Sequence, residues 1–341
     1  MTQQAPNVPA EILKFSEIAQ DYKRHALFGN GFSIAISRNF GYHTLKEEAL
    51  ARGQLTVQEA ALFDAFGTVN FELVLNRLYD ASMVNGALQI QDNNLPLARY
   101  DVIRNALIKT VKDIHPSFSD FDLKWAARAA QHLQSYESVF TTNYDLTLYW
   151  IMGQVEFAGF TDFFWSDGPT FDQFNTEVWG PRAKVYYLHG ALFLFRDKES
   201  SRIFKLKSSY YQGLLDSIAA TMLGANIPLF ISEGTHQQKL AAIYREPYLS
   251  HCYGALRKCR GGMVIFGSSL GEADEHLVDA IGASGLNKVA CSIYVGNRTK
   301  DELNDEISYI KYRLRRVLNR GGDLLFFDST TAPLSYGYED P

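Results

Sequence analysis

The apolar and polar positions of this chain fall into two kinds of pattern. Short, mostly apolar runs, each closed by Gly, Asn, His, Ser or Asp, occur at 25–28, 138–142, 185–188, 228–232, 263–266, 290–295 and 323–327. Runs of that length, bounded by turn residues and rich in β-branched and aromatic side chains, read as buried strands. Between the first two, apolar residues recur at helical spacing, as in Phe71, Val74, Leu75 and Leu78. Four helices are expected there, over about 44–63, 70–85, 98–114 and 120–136. Residues 1–20 read as a short arm or helix, and further helices are expected from Ser33, beyond Asp145, after Thr235, from about 273 and over 300–319. Residues 192–195 and 203–206 suggest a hairpin, and the aromatic-rich 155–180 reads as irregular. Strands alternating with helices define an α/β fold, a Rossmann-like, doubly wound and mostly parallel sheet. It is expected to be a single domain over 1–341, with 44–137 as a large helical insertion.

Composition narrows the classes of protein. Of 341 residues, 46% are hydrophobic and 21% charged, enough to bury a sizeable core and too few charges for global disorder. The 33 basic and 38 acidic residues give a net charge of −5. That balance argues against direct nucleic-acid binding, which needs a basic face. Cys252, Cys259 and Cys291 form no CxxC pair, so neither a disulfide framework nor a four-cysteine zinc site is expected. No apolar run approaches the roughly 18 residues needed to span a membrane, and the start of the chain has no signal-peptide core. A cytoplasmic location without membrane contact is the expectation.

The candidate chemistry sits where strands end. In open α/β sheets ligands bind outside the carboxyl ends of the strands. The run Val139-Phe140-Thr141-Thr142-Asn143-Tyr144-Asp145 ends in an amide and a carboxylate two residues apart, which share one side of an extended chain. Gly29-Asn30-Gly31-Phe32-Ser33 stands between a strand and a helix, where glycines admit a phosphate. Ile34 replaces the third glycine of GxGxxG, which disfavours an ordinary dinucleotide dehydrogenase. Gly267-Ser268-Ser269-Leu270-Gly271 matches the GxSxG elbow of serine hydrolases, but only His276 follows, too close in sequence to serve Ser269. A loop of Gly and Ser donors is the better reading. His189-Gly190 and Val295-Gly296-Asn297 close two more strands. Asp274 and His276 read as a helix start, Glu233-Gly234-Thr235 as a capping turn, and the arginines 313–320 as a solvated face.

In order and spacing, GNGFS, TTNYD, LHG, FGSSL and VGN resemble the sirtuin-like (SIR2-like) superfamily, over roughly residues 25–300. The stretches SEGTHQQKL and YREPYLS are similar to a bacterial SIR2-like subgroup long labelled a domain of unknown function, and relatives of that broad group hydrolyse NAD in antiphage defence. The resemblance implies NAD as substrate and no metal. It places Gly29, Gly31 and Ser33 at the pyrophosphate, and Asn143 and Asp145 at the nicotinamide ribose and nicotinamide; Asn30, where sirtuins carry alanine, and Thr142 are counted among the cofactor-binding residues. His189 would be the general base. Gly267, Ser268 and Ser269 would face the phosphate or adenosine side, and Asn297 the adenosine ribose. The zinc module of sirtuin deacylases is missing from the sequence, as is a PDFR-like segment after the first loop, where Arg38-Asn39-Phe40-Gly41-Tyr42 stands instead.

The activity implied is cleavage of the nicotinamide–ribose bond with water as acceptor. The leaving group is already cationic, so the site needs orientation, exclusion of bulk water and one base. Asn143 orients the water or ribose hydroxyls. His189 takes the proton near its ordinary pKa, and Asp145 stabilises developing positive charge. Uncontrolled NAD loss would be toxic, so a gated enzyme is expected. Homo-oligomerisation, the helical insertion or a companion defence protein such as an ATPase are the candidate gates. Competing readings are an NAD or ADP-ribose sensor without turnover, an ADP-ribosyltransferase and a zinc-free deacylase.

Overall fold

The computed structural model describes residues 9, 11–336 and 338, apart from 42–43, 91–93, 166–167, 175–181, 198–199, 208–212, 224–225 and 232–233. Ser232 and Glu233 of the expected strand end and capping turn, and Tyr42, therefore lie outside the described residues. The strands are β1 (Ile12–Leu13), β2 (His25–Phe28), β3 (Ser138–Thr141), β4 (Phe160–Thr161), β5 (Ala183–Tyr187), β6 (Gly190–Arg196), β7 (Ile203–Lys205), β8 (Ile227–Phe230), β9 (Arg260–Phe266), β10 (Gly285–Ile293) and β11 (Asp323–Asp328). Eight of them form one sheet in the order β1-β11-β10-β9-β2-β3-β5-β4, and every pairing in it is parallel. From β2 the chain builds outward through β3 and β5 on one side, then returns to place β9, β10 and β11 on the other. The order thus reverses between β2 and β9, the switch point at which α/β sheets open a crevice.

Burial explains the character of these strands. All four residues of β2 and of β3 are buried, as are the last five of β9 and of β10. A parallel sheet covered on both faces has no solvent side, so its strands are continuous apolar runs without alternation. The helices are α1 (Asn30–Ile36), α2 (Leu45–Ala51), α3 (Val57–Ala65), α4 (Phe71–Ala87), α5 (Leu95–Ile114), α6 (Leu123–Leu133), α7 (Thr147–Gly153), α8 (Leu214–Leu223), α9 (His236–Arg245), α10 (Pro247–Arg257), α11 (Glu275–Ala283), α12 (Lys300–Arg313) and α13 (Arg315–Leu318). Six of them, α1–α6, stand between β2 and β3 in the chain.

Three expectations need correction. The first expected helix of this stretch is two, because Gly53 adopts φ 66° after α2 and Thr56 and Glu59 form a capping box that starts α3. The single helix after β8 is also two, since Pro247 stands in the first turn of α10 and cannot continue α9. Finally, β8 does not join the parallel sheet. It pairs antiparallel with β6, which pairs antiparallel with β7, giving a second, three-stranded sheet. Among the described residues no helix is long and apolar enough to cross a membrane.

Candidate functional site

The loops after β2, β3, β5 and β9 meet over a cavity of about 1080 Å³ at the carboxyl end of the sheet. Of the residues expected there, Gly29, Asn30, Gly31, Thr142, Asn143, Asp145, His189, Gly267, Ser268 and Ser269 line it. Ser33 is fully buried directly beneath. Asn297 is exposed in the turn after β10 and is not in the lining; Tyr294 is the nearest lining residue before it in sequence and Glu306 the nearest after it.

The two glycine loops pack on each other. Gly29 N–H donates to Phe266 O at 2.9 Å and Gly31 N–H to Gly267 O at 2.8 Å. A Cβ on Gly29 would lie 2.6 Å from Gly267 O, and one on Gly267, which has φ 66°, would collide with Phe32 N. The glycines are therefore required by contact between the loops, whatever ligand they admit. Thr142 N–H and Oγ1 both donate to Phe28 O. Asn30 donates Nδ2–H to Phe40 O at 3.1 Å and so ties down the turn Arg38–Phe40, both ends of which line the cavity.

Asn143, Ser33 and Asp145 form one buried relay. Asn143 Nδ2 donates to Gly29 O at 3.0 Å and to Ser33 Oγ at 2.9 Å. Ser33 Oγ–H in turn donates to Asp145 Oδ2 at 2.6 Å. The other Asp145 oxygen accepts from Thr147 N–H at 2.8 Å, opening α7. Both Asn143 donors are thus used, and its Oδ1 has no partner among the described residues. Asp145 is already engaged at both oxygens, so it holds the loop more than it offers a free charge. The same loop is fixed by His115, whose Nε2 accepts from Leu146 N–H at 3.0 Å while Nδ1 donates to Pro116 O at 3.0 Å. Burial lowers the pKa of His115, which keeps that ring neutral.

His189 follows β5, and its carbonyl accepts from Ile231 N–H at 2.7 Å. Gly190 has φ 74°, and a Cβ there would collide with Leu229 O of β8. The glycine of the His-Gly pair is thus dictated locally by the passage of β8. Nε2 of His189 lies 2.9 Å from Nε2 of His276 at the start of α11. Burial lowers the pKa of His189 well below 6.5, helped by the cations of Lys239 and by His276. The expectation that it titrates near its ordinary value is therefore corrected. His276 is lowered to about 4, again chiefly by burial. Two neutral rings face each other, one Nε2–H donating to the other Nε2. Lys239 Nζ donates to Asp274 at 2.9 Å beside them, and both residues line the cavity.

Sequence reasoning missed Lys239 and His115, which carry no local signal, and set His276 aside because it looked only toward Ser269. It also misread Arg313. That side chain is 7% exposed, not solvated. Its guanidinium donates to Leu270 O at 2.7 Å and Gly271 O at 3.1 Å and pairs with Glu275 at 2.5 Å, fixing the serine loop from behind. Ser292 Oγ at the end of β10 accepts from Gly267 N–H at 2.9 Å.

An α/β protein with its polar cavity at the switch point is the class these features define. Residues 26–334 match the family described as a domain of unknown function, DUF4917, and the chain belongs to that family. No curated protein sequence matches it. Among solved structures it is similar to a chain described as "Structural Basis for the Mechanism and Regulation of Sir2 Enzymes", with 12% identity over 88% of this chain and 95% of that one and a TM-score of 0.34.

Proposed function

We propose that the protein is an NAD hydrolase that cleaves the nicotinamide–ribose bond to give nicotinamide and ADP-ribose. The observation that carries the reading is the meeting, in one switch-point cavity, of an amide oxygen without a partner among the described residues, Asn143 Oδ1, and a neutral histidine, His189. At about 1080 Å³ the cavity exceeds the usual range for a drug-sized ligand, roughly 300–1,000 Å³, as a dinucleotide requires.

In this reading Asn143 Oδ1 accepts from the attacking water or a ribose hydroxyl, and the relay to Ser33 and Asp145 keeps the amide oriented. His189 keeps Nδ1 as the base while Nε2–H donates to His276. Asp145 acts through Ser33 as a positioning carboxylate, and the hydroxyls of Ser268, Ser269 and Thr142 face the phosphates or riboses. Thr330 and Tyr336 of the C-terminal segment also reach the lining. A hydrolase of this kind must be held in check, by self-association or by a companion protein, and the defence role implied by the SIR2-like resemblance fits a gated effector.

The test is incubation of NAD with the purified protein and with Asn143→Ala, the products being separated by chromatography. Nicotinamide and ADP-ribose from the parent alone are expected. Tight NAD binding without product would establish the sensor reading instead, and adenine label on macromolecules the transferase.

A further inference from the structure

The His189–His276 pair has a third neighbour that the hydrolase reading does not use. The metal-binding atoms of His189, His276 and Asp274 all lie within 4.8 Å of one another; His189 and Asp274 line the cavity, and His276 is buried behind them. We propose that these three residues form a reversible binding site for a divalent transition ion of the zinc, cobalt or nickel type.

The donor set selects that class. Two imidazoles and one carboxylate suit borderline ions, whereas magnesium and calcium prefer all-oxygen shells. Geometry agrees. With metal–nitrogen bonds of about 2.0 Å, two nitrogens of a tetrahedral site stand about 3.3 Å apart. The two Nε2 atoms are now 2.9 Å apart, so a small opening admits the ion between them. Asp274 sits on a short turn with its side chain 26% exposed and can rotate toward them. A fourth position opens to the cavity for water or a ligand oxygen.

Two features make the site weak and exchangeable. Lys239 holds an Asp274 oxygen at 2.9 Å and must yield part of it to the ion. His276 Nδ1 is buried without a hydrogen-bond partner among the described residues, so that ligand lacks the supporting acceptor that usually strengthens a metal-bound histidine. Binding also has a chemical consequence. Both Nε2 lone pairs go to the ion, so the hydrogen that one ring donated to the other moves to Nδ1 of its own ring. On the hydrolase reading proposed above, in which His189 is the base, its Nδ1 then carries a hydrogen and cannot accept a proton. The ion would switch hydrolysis off.

The experiment is titration of chelator-treated, dialysed protein with cobalt(II), followed by visible absorption in the absence of NAD. A tetrahedral cobalt spectrum is expected in the parent. Binding should weaken by about tenfold or more in Asp274→Asn, comparable to loss of a supporting ligand contact, vanish in His276→Gln, and tighten in Lys239→Met, where the competing cation is gone. Asp274 is partly exposed, so its variant keeps the result interpretable if the His276 variant misfolds. No spectrum in the parent at millimolar cobalt, or an equal spectrum in the Asp274 and His276 variants, would overturn the site and leave the pair as a hydrogen bond alone. Zinc inhibition of NAD cleavage, reversed by chelator, tests the switch. A protein that binds cobalt but never cleaves NAD keeps the site and loses only the hydrolase.

Discussion

The parallel sheet has a cavity at each end, and the two are built differently. The one at the carboxyl ends holds short polar side chains that are bonded to one another: Asn143 to Ser33, Ser33 to Asp145, His189 to His276. The one at the amino ends, about 610 Å³, is lined by Arg24, Lys184, Lys258 and Arg260 with Glu137 as their acidic neighbour. Arg24 pairs with Glu137 at 2.7 Å, with both side chains about half exposed. Lys184, Lys258 and Arg260 have no ion pair among the described residues. Both ends share the same strands. What differs is whether the polar groups are fixed before a ligand arrives. Fixed dipoles in a buried site do not reorganise during a reaction, which is the main electrostatic advantage of an enzyme over water. Long charged side chains in solvent offer none of it.

The strongest way to break this contrast is to remove the fixed groups. His189→Ala should lower NAD turnover by about 10²–10⁴-fold, the usual worth of a positioned acid–base group. Asn143→Ala should do the same and also cost stability, because Gly29 O and Ser33 Oγ lose a buried donor, at roughly 1–3 kcal/mol for such a loss. Product chromatography reads the first effect and thermal melting the second. Turnover within a few-fold of the parent in either variant would remove the catalytic assignment.

Next in size is the loop contact beneath the site. Gly267→Ala adds a Cβ at a positive φ and against Phe32 N. The strain and the displaced β2 loop should cost about 2 kcal/mol or more. Denaturant unfolding measures it. An unchanged midpoint would mean that the two loops are not locked as the hydrogen bonds from Gly29 and Gly31 indicate. Gly213, with open space around it, serves as the control and should tolerate alanine.

These two cases also show what the sequence could reveal. Strand ends were legible because a parallel strand buried on both faces is an apolar run that must stop where a polar residue appears. Asn143, Asp145 and His189 announced themselves in that way. The partners did not. His276 is seven residues from Ser269 along the chain but is brought to His189 by the packing of α11 against α9 and α10, a long-range event with no local pattern. Arg313 looks like a surface arginine among other charges on α12, and only the buried carbonyls of Leu270 and Gly271 explain it. The separate antiparallel sheet was hidden for the same reason. β8 is as apolar as the parallel strands, and periodicity does not tell which neighbour a strand chooses.

A smaller effect concerns pH. His276 and His132 have pKa values lowered to about 4, mainly by burial, and His189 and His115 are also lowered. In the unfolded chain each binds a proton near 6.5. Between pH 6.5 and about 4 the unfolded state therefore takes up more protons, so stability falls on acidification through that window and is intact above it. Melting midpoints at pH 7, 5.5 and 4.5 should decline in that order, with a shallower slope in His276→Gln. Activity should not gain an acidic limb near 6.5, since the folded His189 is still neutral there. A rate that rises tenfold from pH 6 to 7 would place an unshifted histidine in charge.

The smallest expected effect comes from the other cavity. Lys184→Gln with Arg260→Gln removes two cations from the amino end of the sheet. The path through β2 to the carboxyl-end cavity is a four-residue strand, about 13 Å long. That already exceeds the screening length of about 8 Å at physiological ionic strength, and exposed charges contribute on the order of 0–1 kcal/mol even to direct partners. The double variant should thus cleave NAD within about twofold of the parent rate at that ionic strength, with a melting midpoint close to the parent's. Loss of turnover in this variant, with His189 and Asn143 intact, would mean that the two ends of the sheet communicate. Half-buried Lys184 and exposed Arg260 would then need a role in controlling the site.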